Sequence, residues 1–141
     1  MKEAMIYCGK LFSFNIGGSS GQLFAISFIR IGTTLGEAKE INNAVLSRAL
    51  KFAVEGIQKL GGAKPGQKTL IDAMIPAYEA LAQSTSTQLD FKAAYNAALK
   101  GAETTANMYP MRGRASYLAE RALGHMDPGS NAIALIFKAL I

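Results

Sequence analysis

The feature that most constrains the fold is an apolar pattern with the period of an α-helix. Between residues 41 and 60, apolar residues and one glycine recur every three or four positions: Ile41, Val45, Ala49, Phe52, Gly56 and Leu60. That spacing places them on one helical face. Residues 22–30 are apolar nearly all round, which is typical of a helix buried in a bundle. Their β-branched residues would allow a strand, but no partner strand pattern occurs. The sequence predicts an all-α fold.

Capping residues and glycines suggest where each helix begins and ends. Thr34 and Glu37 have the spacing of a capping box, and Thr69 and Asp72 resemble a second one. Asp90 is placed to cap a helix, and Asp127 stands before a proline, which is favoured in the first helical turn. Six helices are therefore predicted, over residues 2–14, 22–30, 34–60, 69–82, 91–108 and from 128 onward.

These helices predict one domain over residues 1–141, an antiparallel bundle or barrel with short connections. Alanines and glycines on the helical faces indicate close helix approach. The exception is a long segment from Tyr109 to Met126 with no regular pattern. Because long loops inside compact domains are often functional, this segment is a candidate for part of a site.

Charge and cysteine content narrow the possible functions. The net charge is +5, but the cations are scattered apart from Arg112, Arg114 and Arg121, so a local anion pocket fits better than a nucleic-acid groove. The single cysteine, Cys8, excludes an internal disulfide and is expected to be a buried small hydrophobe. The N-terminus is a poor signal peptide and every apolar tract is too short for a bilayer. A soluble, cytoplasmic protein is expected.

Three glycine-rich joints precede predicted helices. The first, residues 16–21, reads Ile-Gly-Gly-Ser-Ser-Gly. Free N–H groups in a first helical turn bind phosphate, glycines allow close approach, and Ser19 and Ser20 add hydroxyl donors. The alternative is a flexible turn with a serine N-cap, since such clusters are common in loops.

The second joint, residues 60–69, ends in Gly-Gln-Lys-Thr and enters a helix. It superficially resembles a P-loop, but the spacing of that motif is not met and no strand precedes it, so a P-loop NTPase is rejected.

The third joint runs from Arg112 to Gly129. Arg114 has a planar donor fork suited to phosphate, and Asp127-Pro128-Gly129 supplies a further helix N-terminus. A solvated basic loop is the alternative. Antiparallel helices can bring alternate joints to one end of a bundle, which favours a shared anion site.

Histidine and aspartate are too sparse to define a metal site. His125 is the only histidine, and is more often a hydrogen-bonded structural residue than a base in such a context. Asp72, Asp90 and Asp127 are isolated in sequence. No Asp-x-Asp pair is available for Mg²⁺, which prefers carboxylates together with phosphate oxygens.

Three motifs in order resemble a known family, the nucleotide-binding subunit (DhaL) of dihydroxyacetone kinase and the equivalent C-terminal domain of ATP-dependent kinases. They are Gly17-Gly-Ser-Ser-Gly21, Ala63-Lys-Pro-Gly-Gln-Lys-Thr69 and Gly113-Arg-Ala-Ser-Tyr-Leu-Ala-Glu-Arg121 running into Gly124-His-Met-Asp-Pro-Gly129. The resemblance covers nearly the whole chain.

The resemblance implies an eight-helix barrel that binds ADP or ATP at one end and relays a phosphoryl group to dihydroxyacetone. It implies two partners, a dihydroxyacetone-binding kinase subunit and a phosphohistidine-carrying phosphotransferase subunit. By motif match the nucleotide residues are Ser19, Ser20, Gly61, Leu70, Arg114, Asp127, Pro128 and Gly129.

The chain also departs from the family pattern. The family carries an upstream Gly-Asp-x-Asp-His-Gly motif whose aspartates hold two Mg²⁺, and this motif does not occur in the 141 residues. About six helices of the usual eight are therefore expected. Gln22 stands where proline is usual, Ala25 and Ala119 where glycine is usual, and Gln67 where aspartate is usual.

Phosphoryl transfer depends on positioning and charge neutralisation. The chain alone is therefore expected to be inactive and to bind ADP weakly, and the exposed faces of its first and last helices to favour a homodimer. Two alternatives stay open: a non-catalytic regulatory protein derived from this family, and a nucleic-acid-binding domain suggested only by the charge.

Overall fold

The chain folds into six α-helices and has no strand. A computed structural model describes all residues 1–141. The α-helices are α1 (Lys2–Asn15), α2 (Gly18–Gly36), α3 (Asn43–Gly61), α4 (Ile71–Gln83), α5 (Phe91–Thr104) and α6 (Pro128–Lys138). Two 3₁₀ segments, Thr105–Asn107 and Arg114–Ala122, lie between α5 and α6. The predicted all-α class and the number of helices are confirmed.

Each helix packs against the next one along the chain, and α4 also contacts α6. The core lies among α3, α4, α5 and α6, where several alanines are completely buried: Ala49, Ala53, Ala73, Ala77, Ala94, Ala98 and Ala102. Small side chains let helix backbones approach closely. Larger buried residues such as Ile57 and Met74 fill the space between the helices. The predicted close packing of alanine-rich faces is confirmed.

Helix α1 lies at one edge of the bundle and packs principally against α2. Only Gly9 of this helix is buried, while Tyr7, Leu11 and Phe14 are 63%, 43% and 86% exposed. Cys8 is only partly buried, so the expectation of a buried cysteine is wrong. The physical reason is that α1 has a single covered face, which glycine occupies at the closest approach to α2.

The capping box predicted at Thr34–Glu37 is wrong. Helix α2 continues through Thr34 to Gly36, and the Thr34 hydroxyl donates to the carbonyl of Arg30 inside the helix. Helix α3 begins instead at Asn43, where the Asn42 side chain accepts from the amide of Val45 at 3.0 Å. Asparagine is a better N-cap than threonine, and here Asn42 is the residue that caps the helix.

The region after α5 is more regular than predicted. Helix α5 ends at Thr104 rather than near residue 108, and a 3₁₀ turn follows. The segment 109–126, predicted to be irregular, contains nine residues of 3₁₀ structure, Arg114–Ala122, interrupted at Ala119. Short 3₁₀ pieces lack the 3.6-residue apolar period, which explains why the pattern did not reveal them.

Two predicted caps are confirmed and a third is half formed. Asp90 accepts from the amide of Ala93 at 2.9 Å, and Asp127 accepts from the amide of Ser130 at 2.7 Å. Asp72 accepts from the amide of Thr69 at 2.8 Å, but the Thr69 hydroxyl is buried without a hydrogen-bond partner. None of the helices combines the length and apolarity needed to cross a membrane.

Candidate functional site

All eight sequence-predicted site residues line one cavity of about 1310 Å³ at one end of the bundle. The three glycine-rich joints precede α2, α4 and α6, and because consecutive helices alternate in direction, these joints meet at the same end. The residues brought together are Ser19, Ser20, Gly61, Leu70, Arg114, Asp127, Pro128 and Gly129. The geometry therefore groups them as one candidate site.

The first joint presents free backbone amides to the cavity. Gly17 is the N-cap of α2 and no side chain caps the helix, so the amides of the first turn have no partner in the chain. Ser19 and Ser20 lie inside that turn, with exposed side chains. The alternative of a serine N-cap is therefore wrong, and three first-turn N–H groups remain available for an anion.

Gly18 brings the first joint against the third. Its φ is +73°, and a Cβ on this residue would lie 3.3 Å from Nη2 of Arg114. A side chain here would be strained in the left-handed region and would also meet the guanidinium. The absence of a side chain thus lets Arg114 approach the start of α2.

The second joint is closed by side chains that accept backbone amides. Asp72 accepts from Gly66 at 2.6 Å and from Thr69 at 2.8 Å, and Gln67 Oε1 accepts from Lys64 at 2.9 Å. Ser130 of α6 donates its hydroxyl to the Thr69 carbonyl at 2.7 Å. These bonds fix the start of α4 against the start of α6.

The third joint is tied to the second by its backbone and by one arginine. The Met111 amide donates to the Gln67 carbonyl at 3.2 Å, and Arg112 Nη2 donates to the Gly62 carbonyl at 3.1 Å. Arg114 makes no hydrogen bond or ion pair with another residue of the chain and is exposed. Its donors are therefore free for a ligand in the cavity. The arginines of this joint are exposed, as in the alternative of a solvated basic loop, but the joint is also tied to the second joint by these contacts.

Asp127 is the buried acid of the site. Its backbone amide donates to the Thr105 hydroxyl at 2.8 Å while its carboxylate caps Ser130. Burial raises the pKa of this carboxyl above its ordinary value, and the neighbouring Asp72 raises the pKa further, whereas the Ser130 hydrogen bonds and Lys68 lower it. Desolvation is the largest effect because it penalises the ionised form.

His125 contributes through its backbone rather than its ring. The side chain is exposed and takes part in no hydrogen bond within the chain, so the expectation of a hydrogen-bonded structural imidazole is wrong. Its carbonyl accepts from Lys68 Nζ at 2.6 Å. The exposed ring lies at the cavity wall.

The charge of the lining favours an anion. Four cationic side chains line the cavity, Lys68, Arg112, Arg114 and Arg121, against one carboxylate, Asp127. The remaining wall includes Leu23, Ile57, Leu60, Leu70 and Met126, which offer apolar surface to a flat ring. A cavity with an apolar wall and a few convergent polar groups is typical of a small-molecule site.

Sequence reasoning missed Lys68 and Arg112 as lining residues. Lys68 stands in the Gly-Gln-Lys-Thr run, which was compared with a P-loop and is part of the second family motif, but the lysine itself was given no role. Its burial, at 3% exposure, and its left-handed φ of 59° are not visible in the sequence. Arg112 was noted as part of a basic cluster, and only its contact with Gly62 reveals its position.

The carboxylates near the cavity are few and are engaged with backbone amides. No three His, Cys, Asp or Glu side chains lie together in a way that could hold a metal ion. The two carboxylates near the cavity already accept amides, Asp72 with both oxygens and Asp127 with Oδ2. These residues do not fit a Mg²⁺ site of the kind the resemblance implies.

Comparison with known proteins gives the family. The DAK2 domain matches residues 1–141. The chain is 37% identical to D-erythrulose kinase of Mycolicibacterium smegmatis, covering 94% of this chain and 23% of that protein. It is 34% identical to the ADP-binding subunit DhaL of the PEP-dependent dihydroxyacetone kinase of Escherichia coli, covering 89% of this chain and 62% of that protein. The chain thus spans from about a quarter to somewhat under two thirds of these relatives.

Solved structures agree with this assignment. The dihydroxyacetone kinase of C. freundii in its native form superposes with a TM-score of 0.74 at 32% identity, over 99% of this chain and 23% of that one. The same kinase in complex with AMP-PNP and Mg²⁺ gives a TM-score of 0.71 at 33% identity, over 99% and 22% of the two chains. The chain therefore belongs to the DAK2 domain family, which confirms its resemblance to DhaL.

Proposed function

We propose that this chain binds ADP or ATP in the cavity and serves as the nucleotide-binding component of a dihydroxyacetone kinase. The observation that carries the proposal is the meeting of the starts of α2 and α6, the second joint and a free arginine at one cavity. Relatives support it, since one is named an ADP-binding subunit and a structural neighbour was solved with AMP-PNP.

The phosphates are proposed to lie between the first and third joints. The first-turn amides at Gly18, Ser19 and Ser20 offer donors from one side, and Arg114 and the Gly129 amide offer them from the other. Helix N-termini carry partial positive charge, so the starts of α2 and α6 facing one cavity favour a polyphosphate. Pro128 has no N–H to present, and Asp127 keeps its carboxylate on the Ser130 amide.

The adenine base is proposed to lie on the apolar wall. Gly61 ends α3 without a side chain, and a Cβ on it would lie 3.6 Å from Cδ2 of Leu23. Leu70, which is 5% exposed, also lines the cavity. Burial of a ring against these residues would contribute about 25 cal/mol per Å² of apolar surface removed from water. The nucleotide would thus be oriented with its phosphates toward the arginine.

The chemistry proposed is transfer of the γ-phosphoryl group of ATP to a hydroxyl oxygen of dihydroxyacetone, leaving ADP and releasing the hydroxyl proton. In this proposal a second subunit holds dihydroxyacetone, and a phosphohistidine-carrying phosphotransferase subunit rephosphorylates the ADP. The residues of this chain would position the phosphates and neutralise their charge, which is most of what phosphoryl transfer requires.

The isolated chain is proposed to bind ADP weakly and to be inactive alone. The two carboxylates near the cavity, Asp72 and Asp127, are engaged with backbone amides. The phosphates would therefore be balanced only by Arg114 and helix termini. The cytoplasm is the proposed location, because a single cysteine fits a reducing compartment.

A homodimer is proposed through the exposed face of α1. Tyr7, Leu11 and Phe14 recur at helical spacing and are largely exposed, and such apolar patches are typical of contact surfaces. Light scattering across a concentration series measures the mass. A monomer at every concentration would contradict this part of the proposal.

Titration of the chain with ADP and with adenosine tests nucleotide binding. NMR detection suits weak affinities. We expect ADP to bind more tightly than adenosine, because most donors in the cavity face the phosphates. The variant Arg114→Met should weaken ADP binding by roughly tenfold, the usual effect of losing a charge-assisted hydrogen bond.

Arg48→Met is the matched control for that titration. Arg48 is exposed on α3 and does not line the cavity, so this variant removes the same charge and should leave ADP affinity unchanged. An equal loss of ADP affinity in the two variants would show that net charge, rather than the position of Arg114, causes the effect. No binding of ADP by the unmodified chain at millimolar concentration would refute the proposed function.

A further inference from the structure

Lys68 is a buried lysine in the cavity wall to which the proposed function assigns no role. It is 3% exposed, and its Nζ donates to the carbonyls of Thr105 and His125. A buried ammonium is costly unless it is hydrogen-bonded, and an ammonium has three donors. Two are used within the chain, which leaves one N–H without a partner there.

The backbone at Lys68 is also held in a costly conformation. Its φ of 59° lies in the left-handed region, where a non-glycine residue carries strain. The neighbouring residues maintain it, since Gln67 accepts from Met111 and the Thr69 carbonyl accepts from Ser130. This conformation directs the lysine side chain inward instead of to solvent, where a lysine ordinarily lies.

The two carbonyls that Lys68 binds belong to different parts of the chain. Thr105 follows the end of α5, and its hydroxyl also accepts from the Asp127 amide at 2.8 Å. His125 lies two residues before Asp127, at the end of the third joint. Lys68 therefore joins, through hydrogen bonds, the two segments that hold the Asp127–Gly129 turn, namely Thr105 and His125. This turn carries the N-terminus of α6.

The charge of Lys68 opposes a repulsion that the site would otherwise contain. Asp127 is buried at the start of α6, and Asp72 lies close enough to raise its pKa. A phosphate approaching the α6 N-terminus would meet this negative charge. Lys68 lowers the pKa of Asp127 whereas Asp72 raises it, so the Lys68 ammonium offsets part of the negative charge at the start of α6.

We propose that Lys68 is a positioning residue that fixes the Asp127–Gly129 turn and supplies the positive charge that lets a phosphate bind there. The inference rests on the proposed nucleotide function and deepens it. It predicts a specific pattern, in which loss of Lys68 weakens ligands that carry phosphate and spares ligands that lack it.

The variant Lys68→Met tests this pattern against Lys64→Met. Lys64 lies in the same joint but is exposed and does not line the cavity, so it controls for loss of net charge. We expect Lys68→Met to weaken ADP by roughly tenfold, as for loss of a charge-assisted contact. Adenosine should change by less than about twofold, since it makes no phosphate contact.

The outcomes separate this inference from the function on which it rests. If ADP and adenosine weakened together, Lys68 would be only structural, and if neither weakened it would have no role; both results would overturn the inference. Failure of the unmodified chain to bind ADP would instead refute the proposed function.

A chemical-rescue experiment tests the proposal if Lys68→Met does not fold. Cys8 is the only cysteine, so a Cys8→Ser, Lys68→Cys double variant can be aminoethylated in denaturant and refolded, which restores an ammonium at this one position. We expect the aminoethylated protein to regain ADP affinity and the unmodified variant to lack it. A refolded aminoethylated protein that still fails to bind ADP would contradict the proposal.

Discussion

Ala119 lies in a backbone conformation that suits glycine, and its replacement by glycine should stabilise the protein. Its φ and ψ are 49° and −125°, the one non-helical pair within the 3₁₀ segment Arg114–Ala122. Strain of this kind costs about 1–3 kcal/mol. Glycine would offset about 0.4–1 kcal/mol of this gain, because its greater conformational freedom stabilises the unfolded chain. The net stabilisation is therefore expected to be about 1 kcal/mol.

Thermal unfolding and amide exchange together measure the effect of Ala119→Gly. For a chain of 141 residues, an unfolding entropy of about 2.1 cal/mol/K per residue converts 1 kcal/mol into a rise in Tm of about 3 °C. If the segment opens separately from the core, Tm will not report the change. Exchange of the Leu123 and Gly124 amides, which bond to Glu120 and Ala106, should then slow by roughly fivefold.

Ala115→Gly is the control for this prediction. Ala115 lies in the same 3₁₀ segment, is similarly half-buried, and has helical backbone angles. Glycine there removes no strain and only adds freedom to the unfolded chain, so stability should fall. The reasoning is refuted if Ala119→Gly leaves both Tm and exchange unchanged, or if it destabilises the protein as the control does.

Three further predictions concern the cavity and the helix caps. Burial raises the pKa of Asp127. The free energy of unfolding of the wild type, relative to that of Asp127→Asn, should therefore fall as pH rises from the ordinary aspartate pKa through the raised one. Urea unfolding across pH measures this difference, and a constant difference would contradict the prediction. Backbone and side-chain hydrogen bonds lower the pKa of Asp90, so the advantage of wild type over Asp90→Ala should be lost on acidification, with the opposite sign, in the same assay. Gly18→Ala should lower both Tm and ADP affinity, because φ is +73° and the new Cβ would lie 3.3 Å from Arg114. Gly17→Ala should change neither, because φ there is −71° and no atom lies within 4 Å of the new Cβ. Equal effects of the two substitutions would contradict the close approach of Arg114 to Gly18.

The helical framework could be predicted because its signals are local. Asp90 and Asp127 cap the helices that follow them, and Gly61 and Gly62 end α3 as expected. Such signals act within one helical turn, so they survive in the sequence without tertiary information. The Thr34 capping box failed because the same threonine can bond back to the preceding turn of a helix, and only packing decides between the two.

The candidate site could be predicted only in part, for a physical reason. The joints are visible as glycine clusters, and their meeting at one end follows from alternating helix directions. Lys68 was not predicted, since its role depends on a left-handed backbone and on carbonyls 37 and 57 residues away. Ala119 was noted as a departure from the family, in which glycine is usual at this position. The positive φ of Ala119 explains why glycine suits the position.

Backbone amide shifts on addition of ADP give the most direct test of the central claim, that helix N-termini and Arg114 bind nucleotide phosphates at one cavity. The account predicts that the largest shifts cluster at Gly18, Ser19, Ser20, Arg114 and Gly129, and that adenosine leaves most of these amides unmoved. Shifts confined to the exposed face of α1, or spread evenly over the bundle, would contradict it.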